Sequence, residues 1–191
     1  VDHIIEHEED LLNIKHMPEI EAADMIAKHI SRLIEDGATL QTSLGTTSQA
    51  TMLCLSDKND LGIHTQFVTD DIMRLVSLGV ITNDHKGFNN GKIVASSAAG
   101  SSLLYEFLDD NPSIEFHPSD YVNDPGIIAR HNKMVSMNTA MAIDLTGQVA
   151  ADALPYNNFS GVNGMADFIR GASMAPNGKS ILMLTATSDH G

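Results

Sequence analysis

Tryptophan is absent from this chain, cysteine occurs once, and only 11 of its 191 residues are lysine or arginine, against 25 aspartates and glutamates. Each scarcity excludes something. The lone Cys54, in "TMLCL", forms neither an internal disulfide nor a multi-cysteine metal site, and is read as a buried, inert thiol. A net charge of −14 argues against nucleic-acid binding, which needs clustered cations to displace counterions from phosphates. Long apolar runs are missing too: no stretch approaches the roughly 20 residues that span a bilayer, and the N-terminus lacks a signal-peptide pattern. A cytoplasmic protein without nucleic-acid or membrane partners is expected. The first residue is Val, as in a processed piece of a longer chain. Also absent are GxGxxG, the Walker GxxxxGK[ST], HExxH and GxSxG, and with them the commonest nucleotide, metalloprotease and serine-hydrolase signatures.

What remains is an ordinary globular composition, 42% hydrophobic and 19% charged, enough for one domain with a sizeable core. Residues 1–17 are acidic, carry His3, His7 and His16 without regular spacing, and read as a linker or a segment packed on something else. No metal site is expected from them, because solvated histidines need no fixed scaffold and ligands do. "PEIEAADMIAKHISRLIEDG" predicts a helix, since Ile20, Ala23, Ile30, Leu33 and Ile34 recur at helical steps between Pro18 and Gly37. Then strands and helices alternate: "ATLQT" before a glycine turn and a helix, "LGIHT" before "DDIMRLVSLG", "KIVASSA" before "SSLLYEFLDD". After "IEFHP" and the helix-like "DPGIIARH" comes "KMVSMNTAMAIDL", which suits a bending strand. A turn at Gly147 leads to "QVAADAL", then the helix within "FSGVNGMADFIRGA", then the strand "KSILMLTAT". The alternation predicts an α/β fold with an open, largely parallel sheet flanked by helices. The 10 methionines are scattered through these elements as core packing.

Three loops follow predicted strands, where α/β folds place reactive groups. In "TSLGTTS", Gly45 ahead of Thr46 and Thr47 offers backbone N–H groups to an anion; a plain tight turn is the simpler alternative. In "HTQFVTDD", Gln66 occupies the carboxyl end of the "LGIHT" strand, and Thr69 or Asp70 caps the next helix. In "SGVNGMADFIRG", from Ser160 to Gly171, two glycines flank Asn163 at a helix start and can aim N–H donors at a developing oxyanion. All three loops are expected on one sheet edge.

The ordered stretches "LIEDGATLQTSLGTTSQA", "LGIHTQFVTDDIMRLVSLGVITN", "GKIVASSAAGSSLLYEFLDDNP", "DYVNDPGIIARHNKMVSMNTAMAIDLTGQV" and "FSGVNGMADFIRGASMAPNGKSILML" together resemble the acetyl-CoA hydrolase/transferase family, which includes the 4-hydroxybutyrate and acetate CoA-transferases. The likeness runs from about Pro18 to Gly191. It covers the second half of a typical member, so 18–191 is expected to be a CoA-transferase-like domain cut from a longer chain. The resemblance implies coenzyme A or acyl-CoA and a small carboxylate as substrates, no metal, the missing N-terminal domain as partner, and a homo-oligomer.

It further implies a glutamate nucleophile in an LGxHxE motif, which attacks the acyl-CoA thioester through a mixed anhydride and a glutamyl-CoA thioester. Gln66 stands at that position. A carboxylate can attack; an amide is uncharged, with a delocalised lone pair, and serves only as hydrogen-bond donor and acceptor. Two loops also depart from the family pattern. Val162, Asn163, Gly164 and Met165 stand where members have two glycines and Gln, and Ser43-Leu44-Gly45 stands for Gly-Ile-Gly. By the same resemblance Ser43, Leu44, Gly45, Thr46, Thr47, Asn138, Asn163, Gly164 and Lys179 are the expected CoA-binding residues, with Gly164 also at the reacting centre. Lys133 and Arg170 are further candidate phosphate partners. Expected activities are thus CoA transfer or acyl-CoA hydrolysis; the alternatives are a catalytically silent acyl-CoA-binding module or a structural domain that pairs with the missing half.

Overall fold

The computed structural model describes residues 3–14, 17–154, 157–158, 161 and 163–187; His16, Ser160, Val162 and Gly191, named above, lie outside the described residues. Helix α1 (Glu21–Ser31) buries Ala23, Ala27 and Ile30, and Ile34 is buried just beyond it, whereas Ile20 and Leu33 of the predicted stripe are exposed. It is shorter than the 18–37 expected, because Leu33 N–H already bonds back to Ile30 and Gly37 turns out at φ 74°. Next come β1 (Thr39–Thr42), α2 (Thr46–Leu53), β2 (Gly62–Val68), α3 (Asp70–Ser77), β3 (Ile93–Ala98), α4 (Ser102–Leu108) and β4 (Ile114–Phe116). Two single-turn helices, α5 (Ser119–Val122) and α6 (Pro125–Ile128), lead to β5 (Met134–Thr139).

The expected bending strand is two strands. β5 stops at Thr139, and β6 (Ala142–Ile143) pairs antiparallel with β7 (Val149–Ala150) in a separate hairpin. A second small ribbon joins β8 (Ala153–Leu154) to β9 (Asn157–Asn158), before α7 (Met165–Met174) and β10 (Lys179–Met183). The main sheet has six strands in the order β10-β5-β1-β2-β3-β4, each neighbouring pair parallel. The chain winds outward from β1 to β4, then returns to the other side of β1, so the strand order reverses between β1 and β5. In such folds ligands bind beyond the carboxyl ends of the strands near that switch.

The two faces of the sheet differ in chemistry. Helices α1 to α4 cover a face carrying Leu40, Ile63, Ile93, Ala95, Val135, Met137 and Met183, a continuous apolar core. Helices α5 to α7 cover the other, where Val94 and Met134 pack with Val122, Ile128, Phe168 and Ala172. Because strand side chains alternate, Gln41, His64, Ser136 and Asn138 belong to this second face, all buried. Gln41, Ser136 and Asn138 satisfy one another: Ser136 Oγ and Asn138 Nδ2 donate to Gln41 Oε1 at 2.9 and 3.0 Å, and Gln41 Nε2 donates to Asn138 Oδ1 at 3.1 Å. Such a network is stable only when its members are paired.

Three buried basic groups lie on the same side. Lys86 is fully buried with no ion pair among the described residues; its Nζ donates to the carbonyls of Ile63 at 2.7 Å and Lys92 at 2.6 Å, and burial, opposed by the charge of Glu115, pulls its pKa down to about 7. Its stem requires a glycine: a Cβ on Gly62 would sit 2.4 Å from Lys86 Cγ. The rings of His64 and His131 pack 4.5 Å apart, both fully buried, and burial lowers their pKa values to about 4 and about 2. Both rings are therefore neutral in the folded chain at pH 6, whereas unfolding lets each take up a proton below its ordinary value near 6.5. Stability falls as pH drops below 6.5, by up to about 1.4 kcal/mol per pH unit for each histidine. His131→Leu should halve that acid slope between pH 6 and 4.5, measured by urea denaturation across pH; an unchanged slope would show that His131 is not proton-linked to folding.

Candidate functional site

Strand β2 runs past Thr65, because its parallel pairing with β3 continues through Phe67 opposite Ser97 and Val68 opposite Ala98. This corrects the expectation of a strand ending at Thr65: Gln66 is a strand residue near the carboxyl end of β2, not a loop residue. On the β1 side, Thr65 Oγ1 donates to the Thr42 carbonyl at 3.0 Å and accepts from Thr42 N–H at 3.3 Å. The residue after Thr42 opens the first glycine loop, so that loop and Gln66 start side by side.

Gln66 and His64, two residues apart, share the face covered by α5 and α7. The side chain of Gln66 is half-buried and makes no hydrogen bond among the described residues. Opposite it, Gly164 heads α7 and is buried. A Cβ on Gly164 would lie 2.7 Å from Gln66 Nε2 and 2.6 Å from Asn123 Nδ2. Two carboxamide nitrogens therefore crowd the same point, and a Cβ there fits only if both side-chain ends move aside. Asn123 follows α5 and is half-buried; its Oδ1 is buried without a partner among the described residues. Asn163 Oδ1 accepts from Met165 N–H at 2.9 Å, which satisfies one of the four orphan N–H groups at the start of α7. The group as a whole is neutral and rich in donors: two carboxamides and the positive end of a helix dipole. It can hold a carbonyl or carboxylate oxygen, and it contains no charged nucleophile.

The first loop lines a different hollow. Gly45 adopts φ 134°, and Ser43 Oγ lies 2.8 Å from Ser48 Oγ. Ser43, Leu44 and Gly45 border a cleft of about 130 Å³ with Thr42, Met52, Asp70, Ala99 and Gly100. The N-terminal segment closes it: Ile14 N–H donates to Gly100 O at 2.9 Å, Met17 exchanges hydrogen bonds with the Gln49 carboxamide at 3.1 Å each, and Tyr105 donates to Leu12 O at 2.8 Å. Part of 1–17, read as a linker, thus lies across this domain's own strand ends. Thr46 donates to Met17 Sδ at 3.8 Å, and the Thr47 carbonyl accepts from Thr51 Oγ1 within α2. Asp70 holds the β3–α4 loop, accepting Ser101 N–H at 3.0 Å and Ser101 Oγ at 2.5 Å.

Asn138, in the buried network, lies one residue before the carboxyl end of β5. Lys179 is elsewhere. It begins β10, at the amino edge of the sheet, and its Nζ donates to Glu35 Oε1 at 2.6 Å and Leu33 O at 2.9 Å. Lys133 joins the same clip through Glu35 at 3.4 Å, and Lys179 followed by Lys133 holds the Glu35 carboxyl below the usual range. Arg170 is exposed on α7 without an acidic partner among the described residues. Sequence reasoning missed Asn123 and His64. Asn123 follows a single-turn helix with no periodicity to mark it, and its only signal was its place in "DYVNDP".

A doubly wound α/β domain with a parallel six-stranded sheet, with carboxamides and a helix N-terminus near the carboxyl ends of its strands, belongs to the α/β class whose ligands bind beyond those ends. Comparison with known proteins narrows this class. The acetyl-CoA hydrolase/transferase C-terminal domain family matches residues 100–191. A 4-hydroxybutyrate coenzyme A transferase of Clostridium kluyveri is 39% identical over 191 residues, 100% of this chain and 44% of that protein. A succinyl-CoA:cyclohexane-1-carboxylate CoA transferase of Geobacter metallireducens is 39% identical over the same shares. Among solved structures, RipA from Yersinia pestis superposes with a TM-score of 0.89 at 36% identity, covering 95% of this chain and 41% of that one. A 4-hydroxybutyrate CoA-transferase from Porphyromonas gingivalis gives 0.87 at 35% identity, covering 99% and 45%. The chain belongs to the acetyl-CoA hydrolase/transferase family, and it spans less than half the length of these relatives.

The crowding at Gly164 has a measurable consequence. Gly164→Ala should destabilise the chain by about 1–3 kcal/mol, the usual effect of overpacking, while Gly161→Ala, whose Cβ meets nothing within 4 Å, should change stability by less than about 0.5 kcal/mol. Urea denaturation of both variants checks the contrast.

Proposed function

We propose that this chain is the half of a CoA-transferase-type protein that binds the acyl-CoA thioester at the Gln66–Asn123–Gly164 group, and that with Gln66 in place the group holds the ligand without forming a covalent intermediate. The observation that carries the reading is the convergence of Gln66 and Asn123 on Gly164, at the position where the family resemblance expects a glutamate nucleophile. A glutamate there would be charged and could attack a thioester carbonyl; Gln66 cannot, because its nitrogen lone pair is delocalised into the carbonyl. Its amide still donates and accepts, so the group can still hold a polarised oxygen.

Of the residues expected to hold CoA, Ser43, Leu44, Gly45, Thr46 and Thr47 border or follow the first loop, and Asn163 and Gly164 head α7; all belong to the carboxyl edge. Arg170 is the exposed cation on that helix suited to a phosphate. Lys179 and Lys133, engaged by Glu35 at the opposite edge, have no part in this reading. The carboxylate acceptor, the second domain and the oligomer belong to the longer protein.

In the full-length protein, calorimetric titration with CoA should show binding; no heat at millimolar CoA would overturn the ligand assignment. Exchange of CoA between acetyl-CoA and propionate should be at least about 100-fold faster in Gln66→Glu than in the unsubstituted protein, the scale on which removing a nucleophile acts. Equal rates would show that Gln66 does not disable the site.

A further inference from the structure

His64 touches every element that builds the candidate site. It stands on β2 two residues before Gln66 and is completely buried. Its Nε2 lies 2.8 Å from the carbonyl oxygen of Val122, the last residue of α5 and the neighbour of Asn123. Its ring meets that of Phe168, four residues into the helix headed by Gly164, with centroids 6.1 Å apart. A carbonyl oxygen only accepts, so the contact requires the proton on Nε2. Nδ1 is then the bare nitrogen, and it is buried without a partner among the described residues.

The Val122 carbonyl is at the end of a single-turn helix, and a turn this short has little stability of its own. Asn123 N–H closes that turn on Ser119 O at 2.9 Å, but within the sheet's reach the carbonyl beside it is held by His64. We propose that His64 is a positioning residue of the site: its Nε2–H, donated to the Val122 carbonyl, fixes the Asn123 carboxamide opposite Gly164 and Gln66.

The ring keeps this role across a wide pH range. The groups around it are Phe168 from α7, the His131 ring ahead of β5, and the charges of Lys86 and His117, and with burial as the largest cause its pKa lies at about 4. The neutral ring with a proton on Nε2 is therefore the form present at neutral pH.

The ligand arm of the test rests on the acyl-CoA reading; the structural arm does not. Both use the full-length protein with His64→Met, which fills similar space without a donor, and His64→Gln, whose Nε2 can donate from a similar reach. In hydrogen–deuterium exchange without ligand, His64→Met should speed exchange of the 119–124 segment about tenfold while α1 to α4 stay protected, and His64→Gln should return it to within about threefold, the effect of one buried hydrogen bond. CoA affinity should fall about tenfold in His64→Met and recover in His64→Gln. If the unsubstituted protein binds no CoA, the ligand assignment fails while exchange still decides the role of His64. Unchanged protection of 119–124 in folded His64→Met would overturn the proposal, as would loosening spread evenly over both faces. Should His64→Met not fold, a folded, protected His64→Gln supports the donated bond, and an unfolded His64→Gln assigns the position to ring packing instead.

Discussion

The parallel register of β2 between β1 and β3 is the constraint on which the site depends. A one-residue slip would turn every side chain of β2 to the opposite face. His64 and Gln66 would then face the apolar core under α1 to α4, and Ile63 and Thr65 would face α5 and α7. The register is secured from both sides, by Leu40 opposite Ile63 and by Thr65 opposite Ala95, and by the apolar demand of the first face, where Ile63 is wholly buried. One hydrophobic requirement therefore aims the polar residues of the same strand at the other side.

That second side is expensive to build. It buries a carboxamide–hydroxyl network, two histidines and a lysine with no ion pair among the described residues, and burying such groups costs free energy wherever hydrogen bonds do not replace water. Lys86 finds two carbonyls and His64 finds one. The polarity is not spread at random: Asn138 lies near the carboxyl end of β5 and Gln66 near that of β2, close to where the strand order reverses. Under the proposed function, this polarity presents oriented donors toward a ligand.

The departures from the family pattern acquire a common meaning here. By the family resemblance Gln66 removes a charge and Asn163 replaces a glycine, while a Cβ on Gly164 would meet two carboxamides. On the proposed reading, Gln66, Asn123 and Gly164 keep a geometry suited to holding an oxygen, and the group they form has no charged nucleophile. The strap over the first loop, anchored at Ile14 and Met17, places an acidic segment beside the same edge, so the smaller cleft is bordered by parts of the chain that sequence periodicity could not attach to it.

The sequence by itself determined the α/β class, the order of the main strands and helices, and the family. These are encoded locally, in hydrophobic period, in glycine and proline punctuation, and in side-chain identity. It also placed the first loop at a strand end, since that loop follows the strand expected at β1. It misjudged the end of β2 because strand length is set by the neighbour's hydrogen bonds, which have no local signature. Lys179 looked like a ligand for phosphate from its motif alone; the parallel direction of β10 put it at the amino edge beside Glu35. Only the tertiary structure brought Asn123, from a single helical turn, against Gly164 and Gln66, and made His64 the link between them. Those contacts join residues 41 to 104 positions apart, and nothing short of the packed sheet brings such distant residues together.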